Sequence, residues 1–145
     1  MTRMTRPEIF EFLSSGTRTA HVASTRADGS PHVAPVWFVA DGTPESFVVQ
    51  FTTGASSVKG RTLRQDDRVA LTVDDPHPPF GFVIVEGTAE LSRDINRLLE
   101  VATRLGERYM GPDRALEFGK RNAVAGEVLA TIHPAKVIGE KNLTG

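Results

Sequence analysis

The sequence contains no cysteine, which removes disulfides, thiolate zinc sites and cysteine nucleophiles and fits a reducing compartment. A surplus of one charge is missing as well. Lys and Arg number 17 against 18 Asp and Glu, a formal net charge of −1, so no basic field draws in DNA or RNA. No apolar run approaches the ~20 residues that cross a membrane. The N-terminal MTRMTRPEIFEFL has no apolar stretch long enough for a signal peptide, so the expected location is the cytoplasm. Familiar catalytic motifs are absent too: there is no HExxH, GxSxG, P-loop or GxGxxG. His21, His32, His77 and His133 share no ligand spacing, and a set built from His32, His77 and Asp75 would need separate strands to converge. Asp74 and Asp75 are adjacent, so on a strand end they face opposite ways, a poor arrangement for paired acid and base. No catalytic residue and no metal ligand is therefore assigned.

What is present suits one globular domain over residues 1–145: 39% apolar and 24% charged residues. Pro7 to Ser14 reads as a short helix with Ile9, Phe10 and Leu13 on one face and Gly16 at its exit. Thr17–Thr25 alternates as a strand, and Ala27-Asp28-Gly29-Ser30 is a turn. Pro31–Ala40 is a second strand, apolar on both faces and so expected to be covered on both, by core, partner chain or ligand, with Pro35 implying an edge or bulge. Asp41-Gly42 turns into a third strand, Phe47–Phe51. Arg68–Val73 and Phe80–Leu91 follow as strands around the loop Asp74–Pro79, with a bend at Gly87. Arg93–Met110 is an amphipathic helix with the stripe Ile95, Leu98, Leu99, Ala102 and Leu105 and a cap at Ser92. A shorter helix, Asp113–Asn122, precedes a last strand, Glu127–His133, interrupted by Pro134 and resumed at Ala135–Ile138. Short strands with turns near ten-residue spacing and a few helices predict a mainly β fold, a small six-stranded barrel.

The stretch Phe51–Asp67, FTTGASSVKGRTLRQDD, carries the chemistry. Threonines, a glycine and serines lead into a short helix bearing Lys59, Arg61 and Arg64. Free N–H groups at a helix start, with added cations, make a site for phosphate or another anion. The plainer reading is a loop and a solvated helix. Trp37, the only tryptophan, packs a core or walls a ligand site. A chain without nucleophile, base or metal can still be an enzyme when a cofactor carries the reaction.

DGSPHVAPVWF (Asp28–Phe38), FTTGASSVKGRTLRQDDRVAL (Phe51–Leu71) and VEGTAEL (Val85–Leu91), in this order, resemble the pyridoxamine 5′-phosphate oxidase-like flavin-binding split-barrel superfamily. The chain is most similar to its small actinobacterial branch that uses the deazaflavin coenzyme F420. The resemblance implies a six-stranded split barrel, a homodimer with coenzyme sites at the interface, and a small-molecule substrate. It also implies that Thr52, Thr53, Ser57 and Lys59 lie at the coenzyme phosphate. The strand Pro35, Val36, Trp37 and Phe38 would run along the ring, and the loop with Pro79 and Phe80 would reach the partner's coenzyme. Arg61 is added as a weaker phosphate or tail contact, and Arg61 with Arg64 is free to meet an acidic tail. The oxidase pattern of FMN contacts is half erased: Ala34 and Val39 stand where it has arginine and lysine, Val58 replaces one of a basic pair, and Phe82 replaces a glutamine. The resemblance thus implies hydride transfer from reduced F420 to an electron-poor enone, quinone, lactone or tetrapyrrole. The alternative is an FMN-binding member: a flavin reductase, an oxidase-like enzyme or a non-catalytic binder.

Overall fold

Thr5 starts the first helix, α1 (Arg6–Ser14). Its hydroxyl accepts from the Glu8 N–H at 3.3 Å, and the Glu8 carboxylate accepts from the Thr5 N–H at 2.9 Å. This reciprocal pair satisfies donors that a helix start leaves open. The computed structural model describes residues Met1 to Gly145. Its strands are β1 (Thr2–Arg3), β2 (Ala20–Thr25), β3 (Pro31–Val36), β4 (Val39–Thr43), β5 (Ser46–Gly54), β6 (Arg68–Asp75), β7 (Gly81–Ser92) and β8 (Glu127–Lys141). The remaining helices are α2 (Val58–Gln65), α3 (Ile95–Met110) and, after a 3-10 turn at Pro112–Arg114, α4 (Ala115–Asn122).

All strands join one antiparallel sheet in the order β3-β2-β6-β7-β8-β5-β4, with β1 added to β8. The two edge strands, β3 and β4, are consecutive in the chain and separated only by Trp37 and Phe38. The sheet therefore curls until its edges are two residues apart, yet the hydrogen-bond ladder stays open between them. This is a split barrel with eight strands rather than the six expected. The largest difference is the stretch Pro31–Ala40, which divides in two. At the break, the Phe38 N–H bonds the Tyr109 hydroxyl at 3.3 Å and its carbonyl accepts from Arg108 at 2.8 Å. Side chains of α3 thus replace the strand partners that would have continued the ladder. Within one chain this stretch is covered on one face only: Val33 is 65% exposed and Trp37 42%.

Other departures are smaller. Gly42 lies inside β4, and the hairpin turn falls at Pro44-Glu45. Pro134 does not break β8, because a register shift at Glu86/Gly87 places Gly87 opposite it. A Cβ on Gly87 would stand 2.1 Å from the His133 carbonyl oxygen, so only glycine allows this approach. The cap of α3 is Asp94, which accepts from the Asn96 N–H at 2.9 Å, while Ser92 accepts from Asp94 itself. Ile95 is exposed, and Val101 is buried in its stead.

The barrel interior is filled by Leu13, Phe38, Phe51, Leu71, Val83 and their neighbours. A second cluster, Val39, Leu98, Val101, Leu105 and Leu129, fixes α3 to the outer face of the sheet. Each fully buried aliphatic or aromatic side chain contributes about 1.5–3 kcal/mol. Together these clusters hold the end of β5, and so the start of α2, in place.

Candidate functional site

β5 delivers the chain to α2 through Thr52, Thr53 and Gly54, and Ser57 caps the helix. The Ser57 hydroxyl accepts from the Gly60 N–H at 3.1 Å and donates to the Gly54 carbonyl at 2.7 Å. Thr53, buried, lies 3.1 Å from it. A Cβ on Gly60 would meet the Gly54 oxygen at 2.2 Å, so glycine lets the helix sit tightly on the strand end. Ser57 also receives the Arg61 N–H, and Gly126 receives the Ala55 N–H. The N–H groups of Val58 and Lys59 are left without an acceptor in the chain. The same helix carries half-buried Lys59, exposed Arg61 and, in its last turn, exposed Arg64, none of which joins an ion pair. Arg61 also borders a cleft of about 310 Å³ with Arg26, Ala27 and Gln65. Ser24 and Thr62 bond across a buried 2.7 Å contact and anchor the helix to β2. Two free N–H groups at a helix start, with Lys59 in the first turn and Arg61 just after it, are the kinds of donor that suit a phosphate. One acidic group adjoins this helix start: Glu127 Oε2, buried and without a hydrogen bond.

The Pro35–Phe38 segment lies at the barrel split. Val36 and Phe38 turn inward and are buried, so their side chains face the core and not a ligand. Pro35 and Trp37 face outward. The Trp37 ring stacks on Tyr109 with centroids 4.7 Å apart and planes 1° from parallel, and it leans on Phe118 at 5.9 Å. Trp37 is thus both a packing residue and a partly open aromatic wall. Beneath it, Arg108 donates to the carbonyls of Gly16 at 2.9 Å, Phe38 at 2.8 Å, Leu13 at 2.9 Å and Ser15 at 3.1 Å. Tyr109 donates to the Arg18 carbonyl at 2.6 Å. Burial lowers the Arg108 pKa from its ordinary value and raises that of Tyr109. Neither residue stood out in the sequence, although Tyr109 is the only tyrosine and ends an amphipathic helix. Of the positions aligned with oxidase contacts, Val39 is buried under α3, while Ala34 and Phe82 are half-buried on separate strands.

Pro79 and Phe80 occupy the opposite end of the molecule. They precede β7 beside Lys141, whereas α2 begins beside Glu127, at the other end of β8. The 12 residues of β7 cover this span, on the order of 40 Å of extended chain. One chain does not bring these two residues to Lys59. They line a separate cavity of about 330 Å³ with Phe12, Arg18 and Asp75. There His77 contributes a backbone N–H and a ring nitrogen to Asp75, which hold the Asp75 carboxyl below the usual carboxylate range. No group of three or more His, Asp or Glu side chains is arranged to hold a metal.

The comparisons with known proteins agree with this architecture. No curated protein matches the chain. Among solved structures, a conserved hypothetical protein of Mycobacterium tuberculosis, Rv2991, superposes with a TM-score of 0.82 at 27% identity, over 96% of this chain and 86% of its own. An F420 reductase is 30% identical with a TM-score of 0.71, over 90% of this chain and 97% of its own. An FAD-binding protein from Mycobacterium smegmatis shares the fold at 20% identity and a TM-score of 0.63, over 96% of this chain and 98% of its own. The family model described as pyridoxamine 5′-phosphate oxidase matches residues 5–139. With that match over nearly its whole length and the split barrel it forms, the chain belongs to the pyridoxamine 5′-phosphate oxidase family of flavin-type coenzyme-binding proteins.

Proposed function

We propose that the protein is an oxidoreductase that uses reduced F420 to deliver a hydride to an electron-poor small molecule: an enone, quinone, lactone or tetrapyrrole bridge. The observation that carries this reading is the 30% identity, over 90% of the chain, with a protein described as an F420 reductase. The chemistry at α2 supports it. Lys59 and the N–H groups of Val58 and Lys59 would hold the phosphate, with Thr53 and Ser57 fixing the geometry of the turn that presents them. Thr52, half-buried at the end of β5, would line the approach. Arg61 and Arg64 are unpaired and would meet acidic groups beyond the phosphate. Trp37 would supply an aromatic wall. The bound coenzyme supplies the hydride, and the chain's contribution is binding, orientation and exclusion of water.

The same reading includes a homodimer. Val33 and Trp37 are exposed apolar residues next to the barrel split, and Pro79 and Phe80 lie far from Lys59 within one chain. A second copy would cover the first pair and bring the second to a coenzyme. An obligate interface of this kind buries more than ~2,000 Å² in total. FMN carries the same ribityl phosphate, so the α2 cradle by itself also admits an FMN-binding protein, and this is the second reading.

The test is stopped-flow oxidation of reduced F420 by the purified protein with a panel of enones, quinones and lactones. Acceptor-dependent oxidation well above the uncatalysed rate is expected. Tight F420 binding without acceleration for any acceptor would make the protein a coenzyme binder and not an enzyme.

A further inference from the structure

Glu127 opens β8 directly across the ladder from Gly54, the last residue of β5. Directly opposed residues send their side chains to the same face of a sheet, and Gly54 has none to send. The Glu127 carboxylate takes that space. Its Oε2 lies 3.9 Å from where a Gly54 Cβ would stand, the same distance as the Cβ of the helix cap Ser57. This oxygen is buried and accepts no hydrogen bond. Ser57 cannot provide one, because its hydroxyl proton goes to the Gly54 carbonyl at 2.7 Å. Glu127 forms no ion pair with Lys59 or any other cation. A buried acceptor left without a donor is a cost that a fold normally removes. Here it persists beside the positive end of α2, where a carboxylate is favoured by the helix and a second anion is not.

We infer that Glu127 sets how loosely the coenzyme phosphate is held: its fixed negative charge opposes the incoming phosphate at the α2 cradle and speeds its release. The inference rests on the reading of that cradle as the phosphate site. Its consequence is kinetic. A hydride carrier that is consumed in one turnover and reduced again elsewhere must leave after each cycle, and a phosphate grip weakened by a neighbouring like charge lets it do so. A permanently bound flavin needs no such device.

Glu127→Gln keeps the shape and removes the charge. F420, FMN and inorganic phosphate are titrated separately into the wild type, Glu127→Gln and Lys59→Ala, and coenzyme release is timed by stopped-flow chase. The expected result is about ten-fold tighter binding of the phosphate-bearing ligands to Glu127→Gln, mostly through slower release. Unchanged or weaker binding, with Lys59→Ala impaired, overturns the inference and leaves the cradle standing. If Lys59→Ala binds all three ligands like the wild type, the cradle reading fails and the inference falls with it. Should Glu127→Gln not fold, Glu127→Ala, which only vacates the space above Gly54, is judged by the same criteria.

Discussion

Two cationic regions of this molecule have opposite economies. Arg108 points its guanidinium into the fold and gives every arm to a main-chain carbonyl, those of Leu13, Ser15, Gly16 and Phe38. Lys59, Arg61 and Arg64 on α2 have no partner among the acidic side chains, although Asp66 at the end of the same helix is paired with Arg68 at 2.6 Å. A cation whose three nitrogens all bond inside the chain holds the fold together, whereas one whose donors are free is available to a ligand. In this comparison Arg108 maintains the barrel split, and the α2 cations are left free of ion pairs.

The comparison breaks most visibly at Arg108. Arg108→Ala removes a donor from each of four carbonyls and the cation resting 4.6 Å over the Phe38 ring. A loss of about 3 kcal/mol is expected, a fall in Tm on the order of 10 °C. Urea and thermal unfolding read it directly, and a variant as stable as the wild type would remove the clamp from the account. Lys59→Ala should do the reverse. Its unfolding curve should stay within about 0.5 kcal/mol of the wild type. Its affinity for phosphate-bearing coenzyme should fall ten- to a hundred-fold, as expected for a charge-assisted contact of about 1.5–3 kcal/mol. Arg61→Ala sharpens the same contrast with a smaller loss of affinity, one that fades with added salt because the side chain is exposed.

The smallest effect is on acid stability. Glu8 bonds Lys141 and the Thr5 N–H, which lower its carboxyl from 4.5 to about 2. A carboxyl depressed by folding adds stability above its unfolded value and loses it as pH falls through the folded value. Stability should therefore decline between about pH 4.5 and about pH 2. Lys141→Met should flatten that decline, as thermal unfolding measured at stepped pH would read.

Much of this was legible in the residues. The alternation of β2 and β6 and the bend at Gly87 follow local rules, and the structure keeps them, whereas the cap of α3 falls at Asp94 and not at Ser92. The α2 stretch was legible for the same reason, since Ser57, Gly60 and Lys59 act within one turn of each other. The division of Pro31–Ala40 was not, because the groups that interrupt it, Arg108 and Tyr109, lie about seventy residues away. Pro134 misled for a related reason: it stands next to an extra residue in β8, Ala135, and opposite Gly87 of β7, a register that only the pairing of the two strands reveals. Glu127 was invisible because a single glutamate after a glycine has no signature until Gly54 is seen across the ladder.

The most direct test of the α2 cradle as an F420 site is a side-by-side equilibrium titration of F420, FMN and FAD into the purified protein at low and high ionic strength. The account predicts a protein isolated without bound flavin that takes F420 more tightly than FMN, with the gap narrowing as salt screens Arg61 and Arg64 from an acidic tail. Stoichiometric FMN, present on isolation and retained through dialysis, would contradict it.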